Sequence, residues 1–142
     1  ENLKKQLVKS PKIYLRDTGL LHHLLRINDY EQLLGHPAAG NSWEIYVIEQ
    51  IIREAPEFSD FFFYRTRSGA EIDLLLIRPD GERWGIEVKL SNSPKVSKGF
   101  YISLEDLKVS KAFVLTPGSE VYQHHGATVG SLSWFLREQL VG

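Results

Sequence analysis

The sequence predicts an α/β domain in which helices cover a central β-sheet. Two observations lead to this fold class. Segments with apolar residues at helical spacing interleave with short runs that are rich in aromatic and β-branched residues, as strands are. No internal repeat, low-complexity tract or Gly/Ser-rich linker divides the 142 residues, so we expect a single core.

The first predicted elements are a short strand and two helical stretches. Residues 12–16 alternate polar and apolar side chains, which predicts a strand. Residues 20–27 predict an apolar-rich helix, and Gly35-His36-Pro37 marks a break after a second helical stretch. Asn41 is the predicted N-cap of the clearest helix, which ends before Pro56 because proline cannot continue a helix.

The rest of the chain alternates between predicted strands and helices. Runs of aromatic and branched residues indicate the strands, and turn residues such as Pro117-Gly118 end them. In chain order, the predictions are strands at residues 61–66, 71–77 and 83–90, a helix at 97–107, a buried strand at 111–116, short strands around Val121 and Thr128, and a helix at 131–140.

The composition excludes several classes of protein. Hydrophobic residues make up 42% and charged residues 25%, as in ordinary globular domains. The longest apolar runs, such as residues 74–77, are much shorter than the ~20 residues needed to cross a bilayer, and no secretion signal opens the chain. Because there is no cysteine, disulfides, thiol nucleophiles and cysteine-bearing zinc sites are excluded. We therefore predict a cytoplasmic protein without a membrane segment.

The sequence has features expected of a segment from a longer protein. It begins at Glu1 and contains no methionine, although natural chains begin with one. We interpret residues 1–10, which are basic and polar, as an extension or linker from an upstream module, and residues 11–142 as the domain. The formal net charge of −1 provides no global attraction to nucleic acid, so such binding would need a local basic patch.

The strands at residues 71–77 and 83–90 are predicted to form a hairpin. Pro79, Asp80 and Gly81 suit the successive positions of a three-residue loop, which ends with a residue in the left-handed conformation. This loop sets Arg78 opposite Glu82 and determines the register of the whole hairpin. One face then becomes wholly apolar, with the pairs Ile72 and Val88, Leu74 and Ile86, and Leu76 and Trp84.

The other face of the hairpin carries a candidate metal site. The register sets Asp73 opposite Glu87, and two opposed carboxylates repel unless a proton or a cation lies between them. Mg²⁺ or Mn²⁺ would resolve this conflict, because such ions take one or two carboxylates together with water and phosphate oxygens. Lys89 lies on the same face and could orient a water for phosphodiester hydrolysis. A solvated face with alternating charges is the alternative, and a two-residue turn would remove the opposition of the carboxylates.

Glu44 shares the apolar face of the helix that begins at Asn41, which is an expensive place for an isolated charge. Two interpretations are open and compatible. Glu44 completes a capping box with Asn41, or its carboxylate belongs to the hairpin site. The second interpretation requires this end of the helix to point toward the hairpin carboxylates.

A helix glutamate (Glu44), a strand aspartate (Asp73) and the E-x-K triplet formed by Glu87, Val88 and Lys89 together resemble the motif of the PD-(D/E)XK nuclease superfamily. Further stretches resemble a narrower group, the C-terminal domain of unknown function that follows an AAA-type ATPase module in many bacterial and archaeal proteins. These stretches are PKIYLRDTGL at residues 11–20, WEIYV at 43–47 and YRTRSGAEID at 64–73.

This resemblance implies a restriction-endonuclease-like fold, with a central mixed β-sheet flanked by helices, and an AAA-type ATPase module N-terminal to the domain. It also implies roles for four catalytic residues. Asp73 and Glu87 would bind Mg²⁺ or Mn²⁺, Lys89 would assist the attacking water, and Glu44 would add a further contact. The sequence departs from the superfamily pattern at one point, since Ile72 replaces the proline that precedes the aspartate.

Four basic residues flank the predicted site and are candidates for binding nucleic acid. Arg65 and Arg67 lead into the Asp73 strand, whereas Lys95 and Lys98 follow the E-x-K strand. They could contact a phosphate backbone beside the metal, although an ordinary solvated surface is the alternative. The sequence has no Walker A pattern, so this segment alone is not expected to hydrolyse ATP.

These observations together predict a magnesium-dependent nuclease domain that acts on DNA and belongs to a prokaryotic AAA-type ATPase. The alternative is a non-catalytic module that contacts nucleic acid or protein and regulates the ATPase. The presence of all four site residues favours hydrolysis, whereas the near-zero net charge favours the alternative.

Overall fold

The computed structural model describes residues 7–8, 39–66 and 69–141. In these residues, helices cover both faces of one β-sheet. The elements in chain order are β1 (Leu7–Val8), α1 (Ala39–Glu54), β2 (Asp60–Arg65), β3 (Glu71–Ile77), β4 (Arg83–Val88), α2 (Lys98–Asp106), β5 (Lys111–Thr116), β6 (Tyr122–His124), β7 (Ala127–Ser131), α3 (Leu132–Trp134) and a π-helical segment (Phe135–Leu140).

The sheet is mixed, and its seven strands lie in the order β1-β2-β3-β4-β5-β7-β6. Strands β1 to β4 are antiparallel neighbours. Strand β5 lies parallel to both β4 and β7, whereas β6 is antiparallel to β7. The predicted α/β class, with a mixed central sheet flanked by helices, is therefore confirmed.

Most of the predicted strands agree with the structure. The bounds predicted for β3 and β5 are confirmed to the residue, and β6 and β7 confirm the two short strands. Strand β2 begins and ends one residue earlier than predicted. Strand β4 ends at Val88, two residues earlier than predicted, although the N–H of Lys89 still donates to the C=O of Leu115 in β5 at 2.9 Å.

The helix α1 differs from the prediction at its start. It begins at Ala39, so Asn41 lies inside the first turn and is not the N-cap. The capping box between Asn41 and Glu44 is therefore wrong, because Glu44 is no longer at the third helical position, where its side chain would reach back to the cap. The helix ends at Glu54, before Pro56, as predicted.

The predicted helix at residues 97–107 is confirmed as α2. Ser97 is its N-cap, and the Ser97 hydroxyl accepts a hydrogen bond from the N–H of Phe100 at 3.2 Å. This bond satisfies one of the backbone donors that a helix start leaves without an intrahelical partner.

The sequence predicted one helix for the closing segment, but the structure divides this segment between two helical forms. Ser131 caps its start by accepting a hydrogen bond from the N–H of Trp134 at 3.0 Å, and α3 then gives way to the π-helical segment. Residues five apart point ~140° away from each other in an α-helix, but much closer together in a π-helix, whose hydrogen bonds join residues i and i+5. The π-helical winding thus buries both Phe135 and Leu140.

Some predictions concern residues outside the described ranges. These are the strand at residues 12–16, the helix at 20–27 and the break at 35–37. Within residues 1–10, which we interpreted as an extension, β1 pairs with β2 and is part of the sheet.

Two apolar clusters, one on each face, hold the helices on the sheet. The α1 core lies beneath α1 and the C-terminal helical residues, and consists of Val47, Ile48, Ile51, Leu74, Leu76, Trp84, Ile86, Val88, Phe113, Leu115, Leu132, Phe135 and Leu140. The α2 core lies beneath α2, and consists of Tyr64, Ala70, Ile72, Leu75, Phe100, Leu107, Ala112, Val114, Ala127 and Val129.

Strand β3 contains a bulge at Asp73 and Leu74. Two steps along β2, from residue 62 to 64, match three steps along β3, from residue 75 back to 72. The extra residue shifts the alternation of side chains, so Ile72 belongs to the α2 core while Leu74 belongs to the α1 core. The prediction that Ile72 and Leu74 share one apolar face is therefore wrong.

Candidate functional site

The β3–β4 hairpin has the predicted loop. The N–H of Arg78 donates to the C=O of Glu82 at 2.9 Å, and the N–H of Gly81 donates back to the C=O of Arg78 at 2.8 Å. Gly81 has a φ of 91°, which glycine adopts without the steric cost that other residues meet. The register that follows, with Leu74 opposite Ile86, confirms the three-residue loop.

Beyond this regular part, the hairpin opens at the bulge of β3. The last pair recorded between the two strands is Leu74 with Ile86. In an undistorted hairpin the N–H of Val88 would bond the C=O of Ile72, but it donates instead to the Oδ2 atom of Asp73 at 2.9 Å. The bulge thus turns the Asp73 side chain toward the backbone at the end of β4.

The carboxyl groups of Asp73 and Glu87 meet at this opening. Glu87 is only 5% exposed, while Asp73 is half-buried. Burial raises the pKa of Glu87 from 4.5 to about 10, and both the hydrogen bond to Asp73 and its negative charge contribute in the same direction. In the chain by itself, Glu87 is therefore protonated at neutral pH and shares its proton with Asp73.

Two further charges act on this pair. The ammonium of Lys89 lowers the pKa of Glu87, and the carboxylate of Glu71 raises it, although both effects are smaller than that of burial. Both side chains are half-buried. Lys89 thus shares the neighbourhood of the carboxyl pair, as the E-x-K spacing predicted. Glu71 was not predicted as a site residue, although its position two residues before Asp73 in a strand is a signal that could have identified it.

The chemistry of the pair suits a hard divalent cation. A cation between the two carboxyl groups would relieve their repulsion, as a shared proton does. Mg²⁺ commonly uses one or two protein carboxylates, with water and substrate oxygens completing its shell. Among residues 7–8, 39–66 and 69–141, no group of three or more His, Asp or Glu side chains has an arrangement that could hold a metal. A cation at this pair would therefore need water or substrate oxygens for the rest of its shell.

Glu44 lies on α1 and not in the hairpin. It is half-buried in the second turn of α1, and α1 packs on β4 from the face opposite to α2. Within the part of the chain that the structure describes, the charges that shift the pKa of Glu87 are those of Asp73, Lys89 and Glu71. The structure thus brings Asp73, Glu87 and Lys89 together, and the role of Glu44 rests on the motif.

The predicted nucleic-acid-binding residues are only partly described. Lys95 and Lys98 are exposed, Lys95 in the segment between β4 and α2 and Lys98 at the first position of α2. The backbone of Arg65 pairs with Glu71. The Arg65 side chain and the whole of Arg67 lie outside the described residues.

None of the described helices combines the length and the apolar character required to span a bilayer.

Comparison with known proteins identifies relatives whose function is not described. The profile of a family described as a domain of unknown function (DUF4143) matches residues 39–135, and that of a second domain of unknown function (DUF8612) matches residues 1–31. Uncharacterized proteins of Mycobacterium bovis and Mycobacterium tuberculosis are each 39% identical over 118 residues, or 82% of this chain. The chain spans 26% of the length of each of these curated relatives. No solved structure matches it.

Proposed function

We propose that this chain, which belongs to the DUF4143 family, is a nuclease domain of the PD-(D/E)XK superfamily that hydrolyses DNA with the help of Mg²⁺ or Mn²⁺. The observation that carries the proposal is the contact between Asp73 and the buried Glu87, with Lys89 beside them. A buried pair of carboxyl groups at a bulge is costly for folding alone, and sites of function are where such costs are commonly found.

Each site residue has a proposed role. Asp73 and Glu87 would hold the cation, which would supply Lewis-acid activation of the scissile phosphate. Lys89 would hydrogen-bond and orient the attacking water, and its charge favours the ionised form of Glu87 that cation binding needs. We assign Glu44 to the same catalytic site from the motif. The packing of its helix on β4 supports this assignment.

The proposal extends to the fold and to the rest of the protein. The antiparallel strands β2 to β4, followed by the parallel β5, are consistent with a restriction-endonuclease-like sheet. We also propose that the domain works at the C-terminal side of a cytoplasmic AAA-type ATPase, since the curated relatives are several times longer than this chain.

A non-catalytic module that binds nucleic acid or protein and regulates the ATPase is the second candidate. One observation favours it. The proton of Glu87 and the N–H of Val88 already satisfy the carboxyl pair without a metal, so the pair can persist as a purely structural hydrogen-bonded unit.

Metal binding and DNA cleavage distinguish the two candidates. We expect calorimetry to detect Mn²⁺ binding to the wild type, and labelled DNA to be cleaved in Mg²⁺ or Mn²⁺ but not in EDTA. Asp73→Ala and Glu87→Gln should each reduce cleavage by at least about 100-fold, as expected when a ligand of a catalytic metal is lost. Glu138→Gln, which alters an exposed carboxylate on the C-terminal segment, is the matched control.

The nuclease proposal fails if neither this chain nor the full-length protein binds a divalent cation or cleaves any DNA or RNA substrate. Cleavage that survives Asp73→Ala unchanged would also refute the assignment of the site.

A further inference from the structure

A basic cleft runs along α2, on the side that faces the β6–β7 hairpin. Its volume is about 710 Å³. Two exposed lysines, Lys98 and Lys108, line it, whereas Glu105 is the one carboxylate among the described residues that do so. This balance makes the cleft locally cationic in a chain whose net charge is −1.

The cleft leads away from the carboxyl pair. At the start of α2, a Cβ on Gly99 would lie 2.6 Å from the C=O of Gly69, just before β3. At the other end of α2, Arg83, which lies at the beginning of β4, donates from Nη1 to the C=O of Leu107 at 2.9 Å. Since Glu87 lies near the end of β4, α2 runs antiparallel to β4. Lys98 is therefore at the carboxyl-pair end of the cleft.

Lys98 and Lys108 are spaced along the cleft. Lys98 is the first residue of α2, and Lys108 lies two residues beyond its last, Asp106. The helical rise from Lys98 to Asp106 amounts to ~12 Å, so the two ammonium groups can contact different phosphates of one strand. Lys111 is not part of this path, because its Nζ atom lies 5.0 Å from the centre of the Trp84 ring, which belongs to the α1 core on the opposite face of the sheet.

Aromatic rings stand among these charges. The Tyr101 hydroxyl contacts Nδ1 of His124 at 2.7 Å and donates to the C=O of His124 at 3.1 Å. The ring of His125 packs edge-on against both Tyr101 and His124, with centroid distances of 6.0 and 4.5 Å. Tyr101 and His125 line the cleft, and His125 is exposed. These contacts hold the rings in place.

The backbone at the hairpin tip also presents His125 to the cleft. His125 and Gly126, with φ values of 48° and 87°, form the two-residue turn between β6 and β7. Turns with two positive φ values favour Asn or Gly at both positions, so a histidine is a costly choice for the turn itself.

We propose that this cleft binds an unpaired nucleic-acid strand, with its phosphates on Lys98 and Lys108 and a base against the rings of Tyr101 and His125. Proteins that bind single strands combine a cationic groove with aromatic stacking in this way. An acidic peptide would use the lysines but has no bases for the rings, and the paired bases of a duplex are not free to stack on them. The inference rests on the proposed function, for which it names the form of the substrate and its path from the active site.

Fluorescence anisotropy with a labelled oligo-dT of about 12 nucleotides, in EDTA so that no cleavage occurs, tests the lysines. The double variant Lys98→Gln and Lys108→Gln should bind more weakly, and the slope of log K against log salt should fall by about 1.4, because each phosphate contact on a single strand contributes about 0.7. The matched control is Arg53→Gln with Arg137→Gln, exposed cations on helices of the opposite face. An unchanged affinity and slope in the lysine variant would overturn the proposal.

His125→Asn tests the rings. The substitution removes the ring but suits the positive φ, so the melting temperature should stay constant or rise. We expect oligo-dT to bind at least about fivefold more weakly, which corresponds to the loss of one stacked base. Wild-type affinity in a folded His125→Asn variant would overturn the placement of a base on this ring.

The outcomes separate this inference from the proposed function. Binding that depends on Lys98, Lys108 and His125, without cleavage under any condition, supports the cleft and refutes the nuclease. Cleavage that depends on Asp73, together with lysine variants that bind like the wild type, supports the nuclease and refutes the cleft. Displacement of oligo-dT by polyglutamate at equal charge concentration, or tighter binding of a duplex, would also overturn the single-strand assignment.

Discussion

A buried carboxyl group such as that of Glu87 makes folding stability depend on pH. In the unfolded chain its pKa is near 4.5, and in the folded chain it is about 10. Between these values the folded state keeps a proton that the unfolded state releases. The contribution of Glu87 to stability is therefore fully present below pH 4.5 and falls as the pH rises toward 10, by up to about 1.4 kcal/mol per pH unit.

Glu87→Gln removes this titration while keeping a side chain that can donate a hydrogen bond to Asp73. In EDTA, we expect the melting temperature of the wild type to decrease from pH 5 to pH 9, and that of the variant to decrease much less. Glu138→Gln serves as the control, since Glu138 is exposed. Parallel pH curves for the wild type and Glu87→Gln would contradict the assignment of a buried, protonated Glu87.

The sequence allowed one part of the site to be predicted at the level of single residues. Pro79, Asp80 and Gly81 are local turn signals, and they sufficed to predict the register that is observed. The bulge at Asp73 was missed because it arises from the pairing of β3 with β2, and no signal within the hairpin reveals that pairing. The meeting of Asp73 with Glu87 is thus a consequence of the hairpin, while its geometry depends on the neighbouring strand.

At the scale of elements, Gly99 allows α2 to approach the start of β3. A Cβ there would lie 2.6 Å from the C=O of Gly69 and 3.3 Å from the Cα of Ala70. Gly99→Ala should lower the free energy of unfolding by about 1–3 kcal/mol, although alanine favours a helix over glycine by about 1 kcal/mol.

Chemical denaturation measures this difference, and Gly118→Ala, whose Cβ would meet no atom closer than 3.4 Å, is the control. A Gly99→Ala variant at least as stable as the wild type would show that α2 and β3 can move apart at little energetic cost.

Arg78 connects the hairpin loop to the C-terminal segment. Its guanidinium lies 4.5 Å from the centre of the Trp84 ring, and its Nη1 atom donates to the C=O of Leu140 at 3.5 Å. Arg78→Met keeps much of the apolar stem but removes the charge and the donors. We expect a loss of about 1–2 kcal/mol.

Hydrogen exchange locates the effect of Arg78→Met. The amides of Phe135–Leu140 should lose protection first, whereas Arg137→Met, at an exposed position of the same segment, should leave them unchanged. Equal protection in both variants would mean that packing of the apolar side chains alone holds the segment.

Element bounds were predictable where local signals end a run, as at Pro117-Gly118 after β5. They were less predictable where packing decides. The change to π-helical winding at Phe135 accompanies the burial of Phe135 and Leu140 in the core, and the residues at the start of α1 carry no signal that favours Ala39 over Asn41.

At the scale of the whole molecule, the two cores share strands. Strands β3, β4 and β5 supply the α1 core, and β3 and β5 also supply the α2 core, so we expect both to melt together. Ile51→Ala, at a fully buried position of α1, should cost about 2–5 kcal/mol and still give one transition. The unfolding curves measured by tryptophan fluorescence and by far-UV circular dichroism should have the same midpoint. Separate midpoints would show that the two faces unfold independently.

The fold class was predictable because helical and strand-like segments alternate along the chain. The strand order was not, since the placement of β7 between β5 and β6 depends on pairings between distant segments. The prediction of function from sequence is limited in the same way. The motif identifies candidate residues, but only their arrangement in three dimensions indicates what they can do together.

The antiparallel arrangement of β2, β3 and β4 also bears on the order of folding. Asp73 and Val88, whose hydrogen bond marks the opening of the hairpin, are only 15 positions apart, and short loops join the three strands. Closing such short loops has a small entropic cost and is fast. The parallel pairing of β5 with β4 must wait for the longer crossover through α2. The carboxyl pair can thus assemble at an early stage, before the helix that lines the basic cleft has docked.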